Sequence, residues 1–346
     1  MPIPQPVVKP TGFFFPQRMS PRLFFSSVQH LGFAWFAMVM GWCGLSLAWY
    51  RAEFLWGDVA VWVSAVLGVV AVCVWMALML GTVARLWWFP EAVRADLKHP
   101  VRHVFLAALP ASWVLLASVG ATHWGFSWWA DALWMLGSAG LMGVSGVVVL
   151  SWFRSDRRQD RFWLGMTPAL FIPVVGNVLP ALAGVGLGHP VWAAVQFGLA
   201  ALLWPVAWGL IGWRIHRLGM WPQRLLPLTF ITVAPPSVLA LSGMNLGLPL
   251  WVVEGLWCVA LLFLGGSAFV ARRIFKQAFG MPFWGMSFPL AAFAALSLVL
   301  SLDRVGAQAW ALVGLLLVSG LFLWLGLSTA VGIWQGRLLV PEPPGP

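Results

Sequence analysis

Few side chains in this sequence have the type and spacing that acid–base, nucleophilic or metal chemistry requires. The six histidines lie at or near breaks between apolar runs, and none pairs with another ligand at metal-binding spacing. Cys43, Cys73 and Cys258 lie inside apolar runs and show neither metal-ligand nor disulfide-framework spacing. Phosphate-binding loops, zinc-protease helices and serine-nucleophile elbows are absent from the sequence. We therefore predict no enzymatic activity, no metal and no cofactor.

One acidic residue, Glu254, lies clearly inside an apolar run, near the start of the run at residues 249–271. Acids within membrane segments often bind or transfer protons. A position near an interface also favours a simpler role, a hydrogen bond between helices. A proton-coupled carrier would need a titrating group on its path, and Glu254 and His103 are the candidates for it.

The stretch at residues 283–289 combines a small polar residue, a bulky aromatic residue and a proline early in a membrane-length apolar run. A proline inside a helix frees the carbonyl one turn back, so Pro289 frees that of Gly285 and kinks the helix. We predict that Phe288 plugs a membrane pore and that Pro289 fixes the kink that presents it. Ser287 is a candidate polar residue of the pore lining.

The composition indicates that these residues lie in a lipid bilayer. Of the 346 residues, 61% are hydrophobic and only 9% are charged, more apolar surface than a soluble protein of this length can bury. Runs of about 20 apolar residues match the thickness of a bilayer core. We predict an all-α membrane protein with ten spans, at residues 30–50, 59–88, 103–121, 129–153, 166–187, 190–213, 225–243, 249–271, 284–302 and 306–335.

The net charge of +10 follows membrane topology and does not indicate nucleic-acid binding. All of the 20 Lys and Arg residues except Arg51 and Arg304 lie at the termini or in loops after even-numbered spans. The positive-inside rule then places both termini in the cytoplasm of a cell, such as at a bacterial inner membrane. We predict a cytoplasmic segment at residues 1–29, the membrane domain at 30–336 and a short cytoplasmic tail at 337–346.

Helix-breaking residues concentrate in the odd-numbered spans. Pro110, Pro173, Pro235 and Pro289 recur at intervals of 54 to 63 residues, which indicates repeated hairpins of one odd and one even span. The first hairpin has Gly41 and Gly44 in place of the proline. A carbonyl freed by proline is costly in lipid, so the odd spans belong inside. We predict five hairpins, with an inner ring of five kinked helices around a central pore.

Under this topology all five inner helices begin in the cytoplasm, and their positive dipole ends face one vestibule. The basic residues near those helix starts are Arg94, Lys98, Arg102, Arg161, Arg224 and Lys276. We expect them to attract anions, although insertion topology alone would give the same distribution of charge. Asn177 is another candidate polar residue of the pore, or it bonds a carbonyl released by Pro173.

Short motifs in a fixed order give the chain a family resemblance. They are Met40-Gly41 with residues 45–49, residues 91–102, Leu109-Pro110, Ile172-Pro173 with Asn177, residues 233–235 and residues 284–289. In these motifs the chain resembles the tellurite-resistance/dicarboxylate transporter family, which includes bacterial TehA and the slow-type anion channels of plant guard cells. The resemblance implies a homotrimer with one pore in each subunit and an aromatic gate that matches Phe288.

We therefore expect a gated channel that conducts small inorganic or carboxylate anions passively across the lipid bilayer. A narrow apolar passage requires partial dehydration and so favours weakly hydrated anions. The alternative is a proton-coupled secondary carrier for C4-dicarboxylates, sulfite or tellurite. A channel and a carrier differ in coupling, because only the carrier's uptake follows a proton gradient.

Overall fold

The computed structural model describes residues 27–154 and 160–340, and within these ranges the chain is almost entirely helical, without a β-strand. Ten apolar helices are numbered in chain order. They are α1 (Phe33–Tyr50), α2 (Asp58–Trp88), α3 (His103–Trp124), α4 (Trp128–Arg154), α5 (Pro168–Leu182), α6 (Pro190–Leu218), α7 (Gln223–Asn245), α8 (Leu250–Ile274), α9 (Met281–Leu300) and α10 (Val305–Trp334). Shorter helices at Glu53–Trp56, Pro90–Lys98 and Asp160–Leu164 lie between them.

Each odd-numbered helix and its successor form a hairpin. The links within the five hairpins are residues 51–57, 125–127, 183–189, 246–249 and 301–304. Connections this short place consecutive helices side by side and antiparallel. All odd helices therefore begin at one end of the bundle, and the predicted set of five hairpins is confirmed.

Burial separates the two sets of helices. In the most apolar stretches of α1, α3, α7 and α9, 67% to 89% of the residues are buried, against 17% to 33% in the even helices. The even helices instead expose large apolar side chains such as Trp62, Leu80 and Phe269. Such a surface suits lipid, whose tails are as apolar as these side chains. The odd helices thus form the inner ring that the prolines predict.

The prolines mark changes of helix type. Every odd helix begins with 3₁₀ geometry, at Phe33–Phe36, His103–Ala107, Pro168–Leu170, Gln223–Val233 and Met281–Met286. Pro110, Pro173, Pro235 and Pro289 each lie second or third in the α-helical segment that follows. There the hydrogen bonding is already changing from i→i−3 to i→i−4, so a missing N–H disturbs least.

Gly41 and Gly44 do not mark such a junction, because both lie inside the α-helical segment Ala37–Tyr50. They instead allow α1 to approach α9 closely. A Cβ at Gly41 would lie 2.4 Å from Oγ of Ser287, and a Cβ at Gly44 would lie 2.9 Å from Cδ2 of Phe288. The expected kink in the first hairpin is therefore replaced by a close helix contact.

The fifth predicted span is shorter than expected. Nine of the ten helices in the described ranges are long and apolar enough to span a membrane as regular helices, and α5 is the shorter one. It consists of two 3₁₀ segments, Pro168–Leu170 and Gly176–Leu182, around the α-helical Phe171–Val175. Because a 3₁₀ helix rises about 2.0 Å per residue, α5 is about 28 Å long, close to the bilayer core.

Candidate functional site

Two cavities lie along the axis enclosed by the odd helices, and Phe288 lines both of them. The first cavity, of about 60 Å³, lies toward the end where the odd helices begin, which we call the basic end. Its lining includes Ala37 and Met40 of α1 and Trp284, Gly285, Phe288 and Pro289 of α9. The second cavity, of about 50 Å³, follows further along the same helices, with Gly44 of α1 and Ala292 of α9. Phe288 therefore lies between two spaces that are each large enough for a small ion.

The first cavity is almost wholly apolar. Its walls come from α1, α5, α7 and α9, and Trp284 is its only lining residue with a side-chain nitrogen or oxygen. The indole Nε1 of Trp284 donates a hydrogen bond to Oγ1 of Thr329 at 2.9 Å, so the polar atom of Trp284 is already engaged. An ion in this cavity must give up part of its hydration without a polar side chain to replace it.

The second cavity is lined by all five odd helices and is more polar. Ser118 and Thr122 of α3 and Arg51 at the end of α1 contribute to it. The Ser118 hydroxyl donates to the carbonyl of Val114 at 2.9 Å, and the Thr122 hydroxyl donates to the carbonyl of Ser118 at 2.8 Å. Arg51 is the only charged residue among those that line either cavity.

Neighbouring helices hold Phe288 in place. The residue is the second of the α-helical part of α9, and the Ser287 hydroxyl before it donates to the carbonyl of Trp284 at 2.6 Å. The Trp284 ring packs edge-on against Phe322, with centroids 6.0 Å apart, and its Nε1 bonds Thr329 on α10. The backbone behind the ring is thus fixed, while the Phe288 side chain itself is only partly buried.

The two candidate polar residues of the pore lie away from both cavities. Asn177 is fully buried, and its Nδ2 donates to the carbonyl of Pro173 at 3.1 Å and to Oγ of Ser145 at 2.5 Å. Ser287 is also fully buried and bonds its own helix. Neither residue is among those that line the cavities. Asn177 thus bonds the carbonyl of Pro173 itself, whereas the carbonyl that Pro173 releases is that of Ala169, four residues earlier.

The predicted vestibule residues differ in their partners. Arg94 is exposed and pairs with Glu91 at 2.6 Å, and Arg102 pairs with Asp96 at 2.8 Å. Lys98, Arg224 and Lys276 are exposed at the basic end and form no ion pair with any described residue. The side chain of Arg161 lies outside the part of the chain that the structure describes. The basic end therefore keeps at least three uncompensated cations.

A buried ion network lies beside this vestibule. Asp96 accepts hydrogen bonds from Arg85 at 2.7 Å and from Arg102 at 2.8 Å, and the side chains of Arg85 and Asp96 are 5% and 4% exposed. Nε of Arg85 also donates to the carbonyl of Gln29 at 2.9 Å. The network joins the end of α2, the helix Pro90–Lys98 and the segment before α1. The sequence analysis does not predict this network, because it counts Arg85 only as a positive charge that indicates membrane topology.

The two titratable candidates for proton coupling do not line the cavities. Glu254 of α8 pairs at 2.5 Å with Arg304, which lies in the link between α9 and α10 at the end of the bundle opposite the basic end. This is an interfacial contact of the kind the sequence favours. The ring of His103 bonds the carbonyl of His99 at 2.9 Å. Both groups are therefore occupied by local contacts at the ends of the bundle.

The sequence of this chain is similar to those of a known protein family. Residues 30–331 match the family described as Voltage-dependent anion channel. The chain is 26% identical over 263 residues to the Tellurite resistance protein TehA homolog of Haemophilus influenzae, which covers 75% of this chain and 78% of that protein.

Two further relatives are matched over less of their length. The chain is 25% identical over 219 residues to the S-type anion channel SLAH2 of Arabidopsis thaliana, covering 63% of this chain and 42% of the plant protein. It is 26% identical over 236 residues to an uncharacterized transporter of Methanocaldococcus jannaschii, covering 60% and 66%. The chain thus spans less than two thirds of either of these proteins.

Proposed function

The chain belongs to the voltage-dependent anion channel family, and from this premise we propose that it is a gated channel for small anions. Anions cross passively along the axis of the odd helices within one subunit, and Phe288 plugs that path. The single observation that carries the proposal is the position of Phe288, whose ring lines both axial cavities. Moving this ring aside would join the two cavities into one passage.

The apolar first cavity supports a preference for weakly hydrated anions. Without a polar side chain to replace lost water, an ion's dehydration cost decides how easily it enters. Chloride and nitrate are the simplest substrates on this argument. Larger anions of the family's range, such as a dicarboxylate, sulfite or a tellurium oxyanion, remain substrates to be tested.

The charges at the basic end support the proposal that anions are attracted to the channel from this side. Lys98, Arg224 and Lys276 are exposed there without ion-pair partners among the described residues, and the positive dipole ends of the odd helices point the same way. We assign this end to the cytoplasm from the positive-inside rule. On the family resemblance, the assembly is a homotrimer with one path in each subunit.

The alternative of a proton-coupled carrier has less support. Such a carrier needs a titrating group on the ion path. Neither Glu254 nor His103 lines a cavity, and each is held in a local contact. Passive permeation asks for no such group.

The test is anion current through purified protein in a planar bilayer. We expect a nearly silent wild type and a conducting, anion-selective Phe288→Ala variant under chloride and nitrate gradients. Phe293→Ala is the matched control, because Phe293 lies on the same helix but stacks on Trp257, with centroids 6.0 Å apart, and does not line the cavities. Silence of wild type and both variants, with uptake driven by a proton gradient in proteoliposomes, would refute the channel.

A further inference from the structure

The second cavity contains a charge that the gate does not explain. Arg51 lines this cavity just beyond Phe288 and its side chain is exposed, and its guanidinium forms no ion pair or hydrogen bond with any described residue. Partial desolvation by the surrounding protein lowers the pKa of the guanidinium. An arginine nevertheless remains protonated at neutral pH. The second cavity therefore carries a full positive charge.

The lack of a partner separates Arg51 from comparable arginines. Arg304, the other basic residue at the same end, is paired with Glu254 at 2.5 Å. Arg85 and Arg102 share Asp96 at the basic end. Glu53 follows Arg51 in the same hairpin link and Asp58 begins α2, but neither carboxylate comes within ion-pair distance of Arg51. Arg51 is thus left with its donors available to a ligand.

Helix capping accounts for only part of this arrangement. Arg51 is the C-cap residue of α1, where a cation favourably meets the negative end of the helix dipole. The other odd helices also end toward this cavity, so their carbonyl ends disfavour an anion there. An anion that has passed Phe288 consequently enters a repulsive field, and Arg51 is the only lining side chain that opposes it.

We propose that Arg51 forms an anion-binding site in the second cavity that is selective for planar oxyanions of the nitrate or carboxylate type. A guanidinium presents its N–H donors as a rigid planar fork, which matches two oxygens of a planar oxyanion but only one contact with a halide. The hydroxyl protons of Ser118 and Thr122 are donated to backbone carbonyls, so Arg51 supplies the lining's available charged donors. This site rests on the proposed function and adds to the selectivity that dehydration in the first cavity gives.

The test uses the Phe288→Ala protein, so that current is present before the site is altered. Nitrate and chloride are placed on opposite sides of the bilayer, and the reversal potential gives their permeability ratio. Adding Arg51→Gln is expected to lower the nitrate-to-chloride ratio on the order of threefold, since a bidentate charge-assisted contact is lost. Arg51→Lys should keep the conductance but lower the nitrate-to-chloride ratio, because an ammonium lacks the planar fork.

Arg304→Gln is the matched control, because it removes the same charge from the same end but from a residue outside the cavity. It should leave the permeability ratio unchanged. If Arg51→Gln and Arg51→Lys both conduct with the ratio of their parent, the proposed site is wrong and the channel stands. If Phe288→Ala itself carries no current, the channel is refuted and the site falls with it.

Discussion

Replacing Gly44 by alanine tests the proposal that Phe288 is a plug, because this glycine lies against the Phe288 ring. The new methyl group would lie 2.9 Å from Cδ2 and 3.4 Å from Cε2 of Phe288, and 3.3 Å from Cβ of Ala291. Ordinary contact begins near 3.4 Å, so the ring must retreat by about 0.5 Å, the difference between 3.4 and 2.9 Å. Gly44→Ala therefore presses on the Phe288 ring in the position that we propose to be closed.

The magnitude follows from overpacking. Inserting a methyl group into a packed site costs about 1–3 kcal/mol. The same substitution also gains about 1 kcal/mol of helix propensity, but α1 is helical whether the ring blocks the path or not, so this gain cancels from gating. A closed state raised by about 1 kcal/mol or more shifts the closed-to-open equilibrium about fivefold or more toward the open state. We expect the open probability to rise accordingly.

The assay is open probability in planar bilayers, read as a double-mutant cycle with Phe288→Ala. Gly44→Ala should raise activity only when the Phe288 ring is present, and in the Phe288→Ala background it should leave current unchanged or slightly lower. Gly198→Ala is the matched control for helix propensity, because nothing lies within 4 Å of a Cβ at that position. An increase of equal size in both backgrounds, or a loss of current in the wild-type background, would refute the reasoning.

Two further predictions concern the charges around the bundle. Asp96→Asn removes the counter-charge of the buried Arg85 and should lower the stability of the protein by about 3 kcal/mol or more, measured as a lower melting temperature in detergent. Glu91→Gln breaks an exposed pair and should lower the stability by less than about 1 kcal/mol. Equal melting temperatures of the two variants would contradict the buried network. Glu254→Gln should leave anion flux in proteoliposomes unchanged, with or without an imposed proton gradient, while flux that follows the gradient and disappears in this variant would favour the carrier.

The sequence predicts the hairpins and the inner ring because both follow from strong local signals. Apolar length sets each span, and proline frees a carbonyl that lipid cannot satisfy, so Pro110, Pro235 and Pro289 identify inner helices correctly. The 3₁₀ segments before these prolines leave no comparable signal in the sequence, because 3₁₀ and α-helical hydrogen bonds differ by only one residue in spacing. The shortness of α5 is hidden for the same reason.

The site is predicted less completely than the fold. The motif points to Phe288, which lines both cavities, while its role as a gate stays a prediction. The choice of Asn177 and Ser287 as lining residues depends on side-chain direction, which tertiary packing decides. The charge count treats Arg51 only as an exception to the positive-inside rule, and its place in a cavity depends on five helices converging. Asp96 escapes notice because its partners lie 6 and 11 residues away in sequence on different elements.

The apolar first cavity also affects whether protons can follow the same path as anions. Protons move through proteins along continuous chains of hydrogen-bonded water and polar groups, and a hydrophobic constriction breaks such chains by dewetting. The walls of this cavity offer no free polar side chain on which a water chain can be anchored. In the proposed channel, a weakly hydrated anion would therefore cross where a proton relay has no groups to follow. Such a channel would let a cell adjust its anion balance without discharging its proton gradient.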